Sequence, residues 1–95
     1  MSGRQVTSAV SHLTALAAVL SSLSLDTQME DGDEPKLIVT NPRAPQLSES
    51  ITVAADPDGV QQFWWSWHKP IAAVENRHAV AMRIKFVLTP ARTLR

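Results

Sequence analysis

The chain has 95 residues, 44% of them hydrophobic and 19% charged, and its nine basic and nine acidic side chains balance to a formal net charge of zero. That size fits one small domain over residues 1–95 with a thin stability margin, and the balanced charge gives no general pull toward nucleic acid or an anionic membrane. Cysteine is absent, which excludes disulfides, cysteine-based zinc sites and thiol nucleophiles and fits a reducing, cytoplasmic setting.

From Gln5 to Leu23, the apolar residues Val6, Val10, Leu13, Leu16, Leu20 and Leu23 recur at steps of three or four. Ala9, Ala17 and Ala18 broaden the stripe, so the pattern predicts a one-faced helix. The apolar stretch 13–20 after Arg4 also has the look of a short signal-peptide core. Ser8, Ser11, His12 and Thr14 interrupt the preceding positions at helical spacing and favour the amphipathic helix. No run approaches the roughly 18 apolar residues that span a bilayer. Serines 21, 22 and 24 weaken and end the helix.

Residues 25–29 alternate and predict a short edge strand; 30–35 form a turn with Asp-Gly and Pro35. Residues 36–40 are β-rich and predict a central strand. The two prolines of 41–49 predict a loop. Strand 50–55, the Asp-Pro-Asp-Gly turn at 56–59 and strand 60–67 predict an antiparallel hairpin. Pro70 redirects the chain. A second helix is predicted from Val74 to Leu88, with Val80, Ala81, Ile84, Val87 and Leu88 as its inner stripe and Pro90 as its stop. The sum is an α+β two-layer sandwich, α-β-β-β-β-α: an antiparallel meander of three to four strands with both helices on one face.

All three tryptophans lie within residues 64–67. Strand alternation puts Phe63, Trp65 and Trp67 on one face and Gln62, Trp64 and Ser66 on the other. The first set is expected to face the helices, and three Trp with two Phe are expected to supply much of the core. Trp64 stands on the uncovered face, where three readings compete: flat packing on a strand neighbour, a dimer interface, or the floor of a small-molecule or sugar site. Ile38 would extend such a patch. His68 and Lys69 stand at the mouth of the sheet, where loops carry function.

Other constellations fall short of their chemistry. The acids Asp26, Glu30, Asp31, Asp33 and Glu34 lack the EF-hand spacing and are expected to form a solvated turn. His12, His68 and His78 lie on separate elements without metal-ligand spacing, so no metal site is expected. Ser66 and His68 stand two apart, but no nucleophile-elbow glycines accompany them, and the chain's glycines are only Gly3, Gly32 and Gly59. Arg77, Arg83, Lys85, Arg92 and Arg95 make the C-terminal part basic, yet no RNA-binding motif accompanies them and the acidic turn opposes their field.

The stretches "LIVTNPR" and "FWWSWHKPIA" resemble a group of short, uncharacterised actinobacterial proteins with an N-terminal helix, a TNP stretch and an FWWSW strand. The resemblance implies a bacterial origin and a cytoplasmic setting, with no activity, ligand or site attached. That group would carry glycine after the last Trp; this chain has His68 there, so the turn must be built differently.

The leading expectation is a non-enzymatic interaction or regulatory module, homodimeric or binding another protein through the Trp64 face or the 41–49 loop. Neither a cofactor, a membrane nor nucleic acid is expected as a partner. The alternative is a small-molecule binder using Trp64, His68, Lys69 and Ile38. An enzyme ranks third, because no set of residues meets the geometric requirements even in outline.

Overall fold

A computed structural model describes the backbone of residues 2–30 and 32–89 and the side chains of residues 9–30 and 32–89. Helix α1 (Ser2–Ser22) leads into five strands: β1 (Asp26–Glu30), β2 (Lys36–Asn41), β3 (Ala44–Ala55), β4 (Gln61–Trp64) and β5 (Pro70–Ala73). A 3-10 turn (Val74–Asn76) and helix α2 (Arg77–Val87) follow. The strands form one antiparallel sheet in the order β1-β2-β3-β4-β5. The class is α+β, with one strand more than the sequence predicts.

Strand alternation and helix periodicity meet in one core. Leu37, Val39, Ile51, Phe63 and Ile71 point from the sheet toward Leu13, Leu16 and Leu20 of α1 and toward Val80, Ala81, Ile84 and Leu88 at α2. Each fully buried large apolar side chain contributes about 1.5–3 kcal/mol relative to exposure. Among the described residues no polar or charged side chain is buried, so the core is held by apolar contact and shape.

Three polar devices tie the layers together at the helix ends. Ser24, at a φ of 68°, ends α1: the Leu25 amide donates to the Leu20 carbonyl at 3.1 Å and the Ser24 amide to the Ser21 carbonyl at 3.0 Å. This is the paired closure of a helix C-terminus, with buried Leu20 and Leu25 as its apolar partners. Lys85 Nζ on α2 donates to the Leu23 carbonyl at 2.7 Å. Asn41 Nδ2 donates to the Leu88 carbonyl at 2.7 Å, while its Oδ1 accepts from the Arg43 amide at 2.9 Å. One side chain thereby shapes the β2–β3 turn and anchors the end of α2.

Several expectations need correction. Residues 41–49 are not a loop: only Pro42 and Arg43 turn, and β3 starts at Ala44. Asn41 pairs with Ala44 but Thr40 with Ser48, so Pro45, Gln46 and Leu47 are taken up by an irregularity in β3. Proline survives there because that end of β3 pairs only with β2. The fifth strand, read from sequence as a change of direction, is a four-residue edge beginning with a proline, too short to display alternation. Val87 and Phe86 leave the core: Val87 is 42% exposed and Phe86 81%, because α2 buries only the Val80–Ala81–Ile84–Leu88 stripe. Arg92, Arg95, Pro90 and Asp31 lie outside the described residues.

Candidate functional site

β3 changes partners along its length. Up to Ile51 it pairs with β2, and from Thr52 to Ala55 it pairs with β4. The two halves of the sheet are therefore staggered, and β2 begins, at Lys36, beside the handover. On the face away from the helices, β3 presents Ser50, Thr52 and Ala54, alternating with the buried Ile51. These side chains are small. Long ones stand on either side: Lys36 at the start of β2 with Glu34 in the bend before it, and Trp64 at the end of β4 with His68 in the turn after it. Small residues flanked by large ones leave a trough of about 500 Å³ on the open face. Trp65, Ser66 and Ala55 complete its lining. Its size falls within the roughly 300–1,000 Å³ usual for small-molecule sites.

Trp64 pairs across the ladder with Thr52, and its indole Nε1 donates to the Ala54 carbonyl at 3.0 Å. That bond draws the ring toward β3 and uses the only polar atom of the indole. The half-buried indole therefore lines the trough with no free donor.

The next residues leave the strand. The Trp65 amide donates to the Lys69 carbonyl at 2.8 Å and the His68 amide to the Trp65 carbonyl at 3.1 Å. This is a three-residue hairpin loop, Ser66–Trp67–His68, whose last residue takes the left-handed conformation that the loop type requires. His68 has a φ of 63°, at the position where the resemblance leads one to expect glycine. Alternation thus holds for Phe63, Trp64 and Trp65 and fails for Trp67. Trp65 is buried, whereas Trp67 is 48% exposed and lies parallel to it, with ring centroids 4.8 Å apart and planes at 6°. A carbon–carbon contact is roughly 3.5–4.0 Å, so the rings are slid sideways, as aromatic quadrupoles prefer. Ser66 Oγ donates to Glu49 Oε1 at 3.0 Å, fastening the turn to β3.

Of the four residues singled out from sequence, Trp64 and His68 line the trough. Lys69 is exposed and serves the turn through its carbonyl. Ile38 lies on the open face of β2 opposite Ser50, outside the lining. Sequence reasoning missed Lys36, Ser50, Thr52 and Ala54, although alternation within 36–40 and 50–55 carries their placement on the Trp64 face. Glu34, in a bend before β2, has no such signal.

Beside the trough, Asp56 organises the β3–β4 turn. Its Oδ1 accepts from the amides of Asp58 and Val60, each at 2.9 Å, and its Oδ2 from Gln62 Nε2. The Val60 amide above all holds this carboxyl below the usual range; desolvation pushes the other way, and Gln62, Asp58 and Gly59 add smaller lowering contributions.

Among the described residues, no group of three or more His, Asp or Glu side chains is arranged to hold a metal ion, and no helix is long and apolar enough to cross a membrane. No family model matches the chain, and neither a curated protein nor a solved structure matches it.

Proposed function

We propose that this protein is a small-molecule-binding module whose site is the trough beside Trp64. The carrying observation is the trough itself: a concave, mixed polar and apolar surface in which a fixed indole stands across from Lys36 and Glu34. Ligand sites combine an apolar or aromatic wall with a few placed polar groups in this way. Around Trp64 and Ile38 the open face carries Gln28, Lys36, Thr40, Ser50, Thr52 and Gln62. That composition favours a hydrated ligand site over a dry sheet-to-sheet interface.

Binding, without chemistry on the ligand, is the better reading. The Ser66 hydroxyl donates to Glu49 rather than toward His68, which favours binding over a Ser66–His68 nucleophile and base. Screening a metabolite library against the full chain by ligand-detected NMR tests the proposal. Compounds that bind the protein and lose binding in Trp64→Ala are expected; a library that yields no Trp64-dependent binder sinks it.

A second reading, self-association or contact with another protein, draws on a different surface. Met82 and Phe86 stand one turn apart on the outer side of α2, with Val87 beside them, and all three are exposed. An apolar stripe of this kind is a common mark of an interface. Sedimentation of the protein and of Phe86→Ser decides it: a dimer that the substitution dissociates supports this reading, and a monomer at every concentration removes the homodimer.

A further inference from the structure

We infer that the ligand class of the trough is a neutral carbohydrate, held with one ring face on Trp64 and its hydroxyls on β2 and β3. This inference rests on the proposed function above and deepens it. The first argument is the indole. With Nε1 committed to the Ala54 carbonyl, Trp64 selects for a flat apolar surface and contributes nothing to recognition of a polar edge. The axial C–H groups of a pyranose make such a surface, and the electron-rich face of an indole attracts their polarised hydrogens.

The second argument is the opposite side. Glu34 and Lys36 bring one charge of each sign, so a ligand carrying charge of only one sign is drawn to one and repelled by the other. Neighbouring hydroxyls on one ring meet both: one donates to the Glu34 carboxylate, and the next accepts from the Lys36 ammonium. Between the two sides, the floor is made of Ser50 and Thr52, whose hydroxyls both donate and accept. The row Trp64–Thr52 is a directly paired cross-strand contact, and Lys36 continues it one position beyond the Leu37–Ile51 pair. Strands lie about 4.8 Å apart, so the row spans roughly 10 Å from aromatic to charged side. One sugar ring lying on the indole face reaches across it.

The test is titration of the isotopically labelled full chain with glucose, galactose, N-acetylglucosamine and cellobiose, followed by amide and indole N–H resonances. Adenosine, benzoate and choline serve as comparison ligands of other chemistry. At least one saccharide is expected to shift the Trp64 indole and the amides of residues 50–52 saturably, with affinity on the order of millimolar for so open a site. Trp64→Ala is expected to abolish the shifts, Glu34→Gln to weaken binding about tenfold, and Thr52→Val about fivefold. Glu34 is exposed and Thr52 half-buried, so these two variants keep the test alive if loss of the indole unfolds the chain. Saccharide binding that survives all three substitutions overturns the inference. So does a Trp64 indole moved by a comparison ligand and by no saccharide, an outcome that leaves the trough as a ligand site. A Trp64 indole that no small molecule moves overturns both the carbohydrate and the site.

Discussion

In the turn between β3 and β4, the Asp56 amide donates to the Val60 carbonyl at 2.9 Å and the Gly59 amide returns to the Asp56 carbonyl at 2.8 Å. In the turn between β4 and β5, Trp65 and Lys69 close at 2.8 Å and His68 returns to Trp65 at 3.1 Å. The geometry is the same, down to a left-handed residue at the third loop position: Gly59 at a φ of 86°, His68 at 63°. The residues are not. The first loop is Pro-Asp-Gly, with an aspartate accepting two backbone amides; the second is Ser-Trp-His, with a tryptophan stack. One turn is stabilised by local backbone chemistry. The other is held by tertiary contact, namely Trp65 in the core and Ser66 on Glu49, and it carries His68 to the edge of the trough. Backbone strain maintained by its surroundings is a recurrent feature of functional sites.

Substitutions can break or sharpen that comparison. The largest effect is expected at Trp65. Removing this buried ring in Trp65→Ala costs about 3–5 kcal/mol, a large share of the roughly 5–15 kcal/mol available to a domain. Trp67→Ala gives up only the exposed stack, about 0.5–1.5 kcal/mol. Denaturant unfolding separates them, and equal losses would mean that the second turn does not depend on the core. Next comes Gly59→Ala. Nothing lies within 4 Å of the added Cβ, so the cost is purely conformational, about 1 kcal/mol net of the stiffer unfolded chain. A neutral outcome would show that this turn shifts its backbone freely. The smallest effect is the reverse change, His68→Gly, which relieves left-handed strain and raises stability by about 0.5 kcal/mol. The same variant removes an imidazole from the trough lining, so ligand affinity is expected to fall while the thermal midpoint rises. If affinity is unchanged while the midpoint rises, His68 is a turn residue and nothing more.

The two faces of the sheet were unequally legible. The expectation of a central strand at "KLIVT", with Ile38 on the Trp64 face, agrees with the structure, which buries Leu37, Val39 and Ile51 and leaves Ile38 half-buried on the open side. In the helices, Leu13, Leu16, Leu20, Val80, Ala81, Ile84 and Leu88 are buried as their spacing predicts, because a period of three to four residues is imposed by local geometry, whereas Ala18 and Val87 of the same stripes are exposed. Val87 shows where pattern reading stops. Its helical position falls within the expected inner stripe, yet it is 42% exposed, because only the way α2 lies on the sheet decides which edge of the stripe is covered. Trp67 shows the same in a strand: alternation was extrapolated through a turn that no Gly, Asn or Asp announced.

The trough was hardest to read, since it depends on no single segment. Trp64 was identifiable as the large residue on the open face, and Thr52 follows from the register of a hairpin that the Asp-Pro-Asp-Gly turn announces. Glu34 and Lys36 reach the site from the start of β2 and the bend before it, where β3 passes from pairing with β2 to pairing with β4.

By itself, the sequence determined the α+β class, the buried stripe Leu13–Leu16–Leu20 of α1 and Val80–Ala81–Ile84–Leu88 at α2, and the opposite orientation of Trp64 and Trp65. These follow from local periodicity and from turn chemistry, which act over a few residues. Tertiary structure alone decided that β4 ends at Trp64, that a histidine occupies a left-handed turn, and that small side chains of β3 lie between long ones from two other strands. Strand ends and register come from the summed pairing and packing of elements distant in the chain, and a cavity exists only where those elements leave space between them.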